Sequence, residues 1–157
     1  MKVILIAALS ADGFIAKSSD HFSDWTSTED KKLFVELTKK AGVILLGRKT
    51  YDTIGRALPG RLNIVYSSKP IDNAEIETTQ EPPGQLIKRL EEQGYEQLAV
   101  CGGQSIYDLF LSNNLADELY ITIEPKLFGK GITLAKSMAD TDLRLIDYKK
   151  LNDDTLN

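Results

Sequence analysis

Short apolar runs of strand length recur along the chain, each bounded by turn residues. The first run is closed by the turn sequence Ser10-Ala11-Asp12-Gly13, and the others end in polar or glycine-containing segments. Runs that are too short for a helix and lack polar alternation are typical of strands buried on both faces of a sheet. The pattern therefore predicts four buried strands, over Val3–Leu9, Val43–Leu46, Leu62–Tyr66 and Leu98–Cys101.

Amphipathic segments with start and stop signals lie between the predicted strands. Thr26 or Ser27 can cap a helix whose first turn is acidic. The apolar face of that helix carries Leu33, Phe34 and Leu37. Further helices are predicted over Thr50–Ile54, from Pro82-Pro83 to about Gln93, and over Ser105–Leu111.

Strands that alternate with helices indicate an α/β fold, with a mostly parallel sheet covered on both faces. The tail departs from this alternation, because it holds predicted strands over Leu119–Glu124 and Leu143–Leu151 but little helix. We therefore predict antiparallel strands at the C-terminal edge of the sheet. Weaker strand signals cover Phe14–Ala16 and Asp72–Thr79. With no internal repeat or long linker, the chain is predicted to form one three-layer α/β/α domain over residues 1–157.

Composition and charge narrow the classes of function. The chain has 19 basic and 23 acidic residues and a net charge of −4, which argues against a nucleic-acid-binding protein. No window approaches the roughly 18 apolar residues of a membrane span. The start at Met1-Lys2 shows no cleavage-site pattern, so we expect a cytoplasmic protein. One histidine, His21, and one cysteine, Cys101, make a zinc site improbable, and no metal is predicted.

Two strand ends run into glycine turns that precede helices. The first turn is Gly47-Arg48-Lys49-Thr50, and the second contains Gly102-Gly103. A helix N-terminus offers free N–H groups to phosphate, and glycine allows close approach of the backbone. Two such turns suggest a dinucleotide, with Arg48 on a terminal phosphate such as the 2′-phosphate of NADPH. The alternative is that the cations are solvated and the glycines only allow close packing.

Ser67-Ser68 follows a third predicted strand. Ligands of open α/β sheets bind beyond the C-terminal ends of strands, so this segment can add contacts to a nucleotide. An ordinary loop is an equally good interpretation.

Asp30 is the acidic candidate for the chemistry. It lies four residues before Phe34, so the two share a helix face. A carboxylate beside an aromatic ring can bind the N–C–N edge of a heterocycle, and burial would raise its pKa toward proton delivery. The alternative is an exposed acid favoured by the helix dipole, and Glu29 competes for either role. Trp25 precedes this helix and either walls a pocket or packs against the helix start.

The segments that carry these candidates resemble dihydrofolate reductase in order and spacing, over roughly the first four-fifths of the chain. They are Leu5–Leu9 with Asp12 and Ile15, Gly47–Arg56, Leu58–Val65 with Ser67-Ser68, Gly102-Gly103 with Tyr107, and Leu119–Thr122. The resemblance implies a dihydrofolate-reductase-like fold and NADPH as the cofactor.

The same resemblance implies roles for individual residues. Asp30 would bind the substrate ring and support its protonation, Thr122 would hydrogen-bond that carboxylate, and Trp25 would lie near the proton-delivering water. The substrate would contact Ile6, Ala8, Phe34, Ile54, Leu58 and Arg61, with Arg61 on the glutamate carboxylate of a folate. NADPH would contact Ala8, Ile15, Gly47, Arg48, Lys49, Thr50, Ser67, Ser68, Cys101, Gly102, Gly103, Gln104, Ser105, Ile106 and Tyr107.

A second resemblance is to the reductase domain of riboflavin biosynthesis, which shares this fold. It is carried by Ser10–Ala16, Ser27–Asp30, Leu115–Leu119 and Glu124–Gly131. Members of that family reduce a ribosylaminopyrimidine phosphate with NADPH, and they often pair through edge strands. A homodimer is therefore an expectation. A carboxylate at Asp30 pairs well with a 2-amino-4-oxo ring edge, which pterins and a 2,5-diaminopyrimidine share, and poorly with a uracil, which lacks the 2-amino donor.

The sequence thus predicts an NADPH-dependent reductase that transfers a hydride to the C=N bond of a pterin or a ribosylaminopyrimidine. Neither a nucleic acid nor a membrane is an expected partner. Two other classes remain open: a non-catalytic NADPH-binding module, and a structural dimer whose glycine turns serve only packing.

Overall fold

The architecture is taken from a computed structural model, which describes residues 1–21, 23–137 and 140–157. Eight strands and four helices follow one another along these residues. The strands are β1 Lys2–Ser10, β2 Phe14–Ala16, β3 Val43–Gly47, β4 Leu62–Tyr66, β5 Ile76–Thr79, β6 Gln97–Val100, β7 Glu118–Glu124 and β8 Ile132–Thr133. The helices are α1 Thr28–Ala41, α2 Arg48–Ile54, α3 Pro83–Glu92 and α4 Gln104–Leu111, and a 3-10 turn covers Ser23–Trp25.

Six strands form a central sheet in the order β5-β4-β3-β6-β1-β7. Every neighbouring pair in this sheet is parallel. A separate ribbon pairs β2 with β8 antiparallel. These features, with helices on the sheet faces, confirm the predicted α/β class and the mostly parallel sheet.

The core follows the alternation of buried side chains along the central strands. In β1, Val3, Leu5 and Ala7 belong to one apolar cluster with residues of α3 and α4, including Phe110. Ile4 and Ile6 belong to the opposite cluster with residues of α1 and α2. Because successive residues of a strand point to opposite faces, one continuous apolar run supplies both layers.

The start and end of α1 follow the signals in its sequence. The Ser27 side chain caps the helix by accepting a hydrogen bond from Asp30 N at 3.1 Å. Gly42 ends the helix with a φ of 75°, a left-handed conformation that glycine adopts without strain. The Ser27 cap fixes Asp30 in the first turn of α1.

The C-terminal part of the chain differs from the prediction in two respects. β7 lies at the sheet edge as expected, but it runs parallel to β1, because the crossover from β6 through α4 brings the chain back on the other side of β1 in the same direction. Among the described residues, antiparallel pairing with β7 is one isolated bridge, between Ile123 and Leu156, and Leu156 also bridges Lys150.

The predicted strand Leu143–Leu151 is wrong. Residues 140–149 have no regular structure, and Leu143, Leu145 and Tyr148 are exposed. A strand needs a hydrogen-bonded neighbour along its length. The backbone pairing of this segment is confined to its end, where Lys149 exchanges two hydrogen bonds with Asn157 and Leu151 N donates to Thr155 O. Among the described residues, no helix is long and apolar enough to cross a membrane.

Candidate active site

The two glycine turns touch each other at the C-terminal ends of β3 and β6. Gly47 N donates a hydrogen bond to Gly102 O at 2.6 Å. A Cβ on Gly47 would lie 3.0 Å from Ile106 Cγ1, and a Cβ on Gly103 would lie 3.0 Å from Thr50 Oγ1. Glycine is therefore what allows the starts of α2 and α4 to approach so closely. Neither helix start has a side-chain cap, so their first N–H groups are not used by a capping side chain.

A cavity of about 1040 Å³ lies beyond these strand ends. This volume is at the upper end of what small-molecule sites use, which is about 300–1,000 Å³. The cavity occupies the position at which open α/β sheets bind ligands.

Most of the residues predicted for the site line this one cavity. They are Ile6, Ala8, Ile15, Trp25, Asp30, Phe34, Gly47, Arg48, Lys49, Thr50, Ile54, Leu58, Cys101, Gly102, Gly103, Gln104, Ser105, Ile106 and Tyr107. Sequence segments separated by as much as one hundred residues therefore meet at a common surface.

Asp30 is the acidic side chain among the described residues that line the cavity. It is half-buried, and this burial raises the pKa of its carboxyl above the ordinary value. Hydrogen bonds from the hydroxyls of Thr122 and Thr26 oppose that rise, while the charge of Glu124 adds to it. The net direction is upward, so Asp30 holds a proton at higher pH than an exposed aspartate does.

Thr122 does not line the cavity but connects Asp30 to the tail. It is buried in β7, its hydroxyl is hydrogen-bonded to the Asp30 carboxyl, and it accepts a hydrogen bond from Asn157 Nδ2 at 3.1 Å. A hydroxyl can donate once and accept twice, so Thr122 can make both contacts together.

Tyr107 lines the cavity together with the residues predicted to bind the substrate and those predicted to bind the cofactor. Its hydroxyl donates a 2.7 Å hydrogen bond to the carbonyl of Ile6, and the side chain is buried. Burial raises the pKa of this phenol well above its ordinary value, so it acts as a neutral donor.

Arg48 is held by an ion pair within α2. Its Nε donates to the Asp52 carboxylate at 2.9 and 3.1 Å, while the side chain stays partly exposed. Because the pair uses Nε, the two terminal nitrogens are the ones that a phosphate can engage.

Three further predicted residues lie outside the cavity lining. Arg61 donates to the Pro59 carbonyl at 3.3 Å and to the Thr38 hydroxyl. Ser67 forms a local turn with Lys69, donating from its hydroxyl to the Lys69 carbonyl at 2.6 Å and accepting from Lys69 N. Ser68 is exposed. Their roles stay predictions.

The cavity wall also contains basic residues that were not predicted for the site. Lys31, Arg56 and Lys136 line it together with Arg48 and Lys49. Lys136 reaches the wall because Asp108 accepts a hydrogen bond from its backbone N at 2.6 Å. No local motif marks Lys136, since its position depends on contacts between the tail and α4. Arg56 is the last residue of the Gly47–Arg56 segment. The resemblance of that segment to dihydrofolate reductase could therefore have pointed to Arg56.

A cluster of aromatic rings closes one side of the cavity. Trp25 and Phe128 meet edge to face at 4.9 Å, and His21 packs on both rings. Asp12 fixes the Phe128 segment by accepting hydrogen bonds from Phe128 N and Gly129 N. Within residues 1–21, 23–137 and 140–157 no group of acidic, cysteine or histidine side chains could hold a metal ion.

Comparisons with known proteins agree with this geometry. A family model described as "Dihydrofolate reductase" matches residues 2–157. The chain is 34% identical to dihydrofolate reductase type 3 of Salmonella typhimurium over 82% of its own length and 76% of that protein. It is 33% identical to dihydrofolate reductase of Staphylococcus haemolyticus over 78% of its length and 69% of that protein.

The fold is also shared with a solved structure from riboflavin biosynthesis. That protein is the diaminohydroxyphosphoribosylaminopyrimidine deaminase/5-amino-6-(5-phosphoribosylamino)uracil reductase of Thermotoga maritima. The TM-score is 0.80 at 18% identity, and the match covers 99% of this chain and 54% of that one.

Proposed function

The chain belongs to the dihydrofolate reductase family and is a reductase of that kind, and from this premise we propose that it reduces the C=N bond of dihydrofolate or a similar 2-amino-4-oxo ring with NADPH. The observation that carries the proposal is Asp30, a half-buried carboxyl in an apolar part of the cavity formed by Phe34, Ile54 and Leu58. A 2-amino-4-oxo ring offers two N–H donors along one edge. A carboxylate can accept both of them.

The glycine turns and the cations beside them fit the cofactor. Glycine at 47 and 103 brings the two turns together, because a Cβ there would meet Ile106 Cγ1 or Thr50 Oγ1 at 3.0 Å. The starts of α2 and α4 supply N–H groups for a phosphate bridge, and Arg48 supplies a guanidinium for the 2′-phosphate. When bound, NADPH supplies the hydride.

The residues of the chain supply orientation and the proton. Reduction of C=N to CH–NH adds a hydride at carbon and a proton at nitrogen. Asp30 holds the ring edge as a carboxylate, and its raised pKa lets it take up a proton that then passes to the ring nitrogen. Thr122 fixes the carboxyl, and the Trp25–Phe128 cluster shields the site from bulk water. The rate should therefore fall as pH rises through the raised Asp30 pKa.

A ribosylaminopyrimidine phosphate is the second candidate substrate. The segments that resemble the riboflavin-type reductases, Ser10–Ala16 and Glu124–Gly131, contact each other through Asp12 beside the cavity. The basic wall with Lys31, Arg56 and Lys136 also suits an anionic substrate. Asp30 pairs poorly with a uracil ring, so we place the uracil form of this candidate, 5-amino-6-(5-phosphoribosylamino)uracil, second.

The test is Asp30→Asn, which keeps the size and polarity of the side chain but removes the acid. Turnover of dihydrofolate should fall by about 10²–10⁴-fold, the usual contribution of general acid catalysis. Glu29→Gln is the matched control, because Glu29 is the neighbouring acid and accepts a hydrogen bond from Asn152 at 3.1 Å. Near-normal turnover of Asp30→Asn at neutral pH would contradict the role of Asp30. NADPH binding without oxidation of any candidate substrate by the unmodified protein would indicate a binding module.

A further inference from the structure

A second carboxylate, Glu124, is buried behind Asp30. It is the last residue of β7 and is 2% exposed. Oε1 accepts the backbone N–H of Ser27 at 2.7 Å, and Oε2 accepts the hydroxyl of Thr155 at 3.2 Å. Both oxygens accept hydrogen bonds, as those of an ionised carboxylate do, and a buried carboxylate needs such partners.

The contact with Ser27 ties Glu124 to the backbone of Asp30. Ser27 is the N-cap of α1, and its side chain accepts the N–H of Asp30 at 3.1 Å. Glu124 therefore binds the backbone of Ser27, and the Ser27 side chain caps the first turn of α1. Thr122 lies two positions earlier on the same strand face, and its hydroxyl is hydrogen-bonded to the Asp30 carboxyl. One strand thus fixes both the backbone and the side chain of Asp30.

From this arrangement we infer that Glu124 is a positioning residue of the Asp30 site, which ties the start of α1 to the end of β7 and places a negative charge that favours the protonated acid. The inference rests on the proposed function for its role in catalysis. The reason is electrostatic, since a like charge nearby disfavours ionisation of a partly buried carboxyl. The interaction with Glu124 acts on Asp30 in this direction.

Other charged groups near Asp30 act on it less strongly or in the opposite direction. Lys31, the next residue of α1, favours the ionised form of Asp30. Tyr107 on α4 interacts with Asp30, but its own burial keeps it neutral. Glu29, also on α1, is turned to Asn152 by its hydrogen bond. Among the described charged side chains, Glu124 is therefore the one that raises the pKa of Asp30 by its charge.

The test is an NMR titration of the Asp30 carboxyl carbon in the unmodified protein, in Glu124→Gln and in Glu124→Asp. Glutamine keeps an acceptor for the Ser27 N–H, and its amide can donate to the Thr155 hydroxyl, so the variant removes mainly the charge. The Asp30 titration should shift to lower pH in Glu124→Gln and stay close to the unmodified value in Glu124→Asp. Glu118→Gln is the control, because Glu118 lies at the other end of β7 and pairs with Lys2 at 2.6 Å.

Glu124→Asp keeps the inference testable if Glu124→Gln does not fold, because a large downward shift of the Asp30 titration in this charge-preserving variant would contradict the role of the charge. An unchanged Asp30 titration in Glu124→Gln would overturn the inference.

The kinetic readout separates this inference from the proposed function. If the protein reduces dihydrofolate, the alkaline fall of kcat/KM should begin at lower pH in Glu124→Gln than in Glu118→Gln. If the protein shows no turnover at all, the proposed function fails, while the NMR titrations still decide the role of Glu124.

Discussion

Arg48 is the residue whose chemistry separates NADPH from NADH under the proposed function. A guanidinium binds a phosphate through two parallel, charge-assisted hydrogen bonds. The uncharged 2′-hydroxyl that NADH has in place of the phosphate cannot form this contact. The ion pair with Asp52 restricts the side chain and leaves its terminal nitrogens for that contact. Selectivity for the 2′-phosphate should therefore reside largely in this one side chain.

Replacing Arg48 with alanine should weaken NADPH binding by about 10–100-fold, as the loss of a charge-assisted contact of roughly 1.5–3 kcal/mol predicts. NADH binding should change much less, because NADH lacks the 2′-phosphate. Fluorescence titration with both nucleotides measures the difference. Lys40→Ala, an exposed residue of α1 outside the cavity lining, is the control. Equal losses for both nucleotides in Arg48→Ala would remove its 2′-phosphate role.

The residues of the site differ in how far local sequence could predict them. The positions of Ser27, Asp30 and Phe34 were predictable, because capping and helical spacing place them along one face at the start of α1. Glu124 was not, because its burial depends on Ser27, which is 97 residues away in the chain. Alternation along β7 indicates which face a residue occupies but not which distant group covers it.

At the scale of elements, α2 and α4 start side by side because small residues lie where they meet. The Gly47–Gly102 hydrogen bond joins the ends of β3 and β6, and Ile106 packs within 3.0 Å of where a Cβ on Gly47 would lie. The proposed phosphate cradle depends on this spacing between two helix starts, more than on either glycine turn alone.

Gly47→Ala should separate the two helix starts. The added methyl group meets Ile106, so we expect a loss of about 1–3 kcal/mol in the free energy of unfolding and a larger relative loss of NADPH affinity. Denaturant unfolding and nucleotide titration measure the two effects. The matched control is Gly84→Ala in α3, where a Cβ meets nothing within 4 Å, and which should raise stability by up to about 1 kcal/mol. Normal NADPH binding by Gly47→Ala would show that the close approach is not required.

The elements themselves were largely predictable, since apolar runs and capping residues are local signals. The direction of β7 and the lack of a regular strand over residues 143–149 were not. The direction of a strand is decided by where its crossover returns, and alternation cannot show whether a neighbour is present to pair with it. Both differences lie in the C-terminal tail, whose structure depends on contacts with distant elements and not on local sequence signals.

For the whole molecule, charge is distributed unevenly between surface and cavity. The net charge is −4, yet Lys31, Arg48, Lys49, Arg56 and Lys136 line the cavity together with the single acid Asp30, among the residues that the structure describes. A basic cavity in an acidic protein concentrates anionic ligands. The cofactor and both candidate substrates are anions, so the distribution fits the proposed class of reaction but does not choose between the substrates.

The choice of substrate therefore depends on Asp30, and one comparison tests it most directly. NADPH oxidation is followed at 340 nm with dihydrofolate and, under the same conditions, with the ribosylaminopyrimidine phosphate that carries a uracil ring, 5-amino-6-(5-phosphoribosylamino)uracil. We expect kcat/KM to be higher for dihydrofolate by about tenfold or more, the equivalent of one good hydrogen bond to a charged group. We also expect this preference to disappear in Asp30→Asn. Faster oxidation with the ribosylaminopyrimidine phosphate, or no oxidation with either compound, would contradict the proposed function.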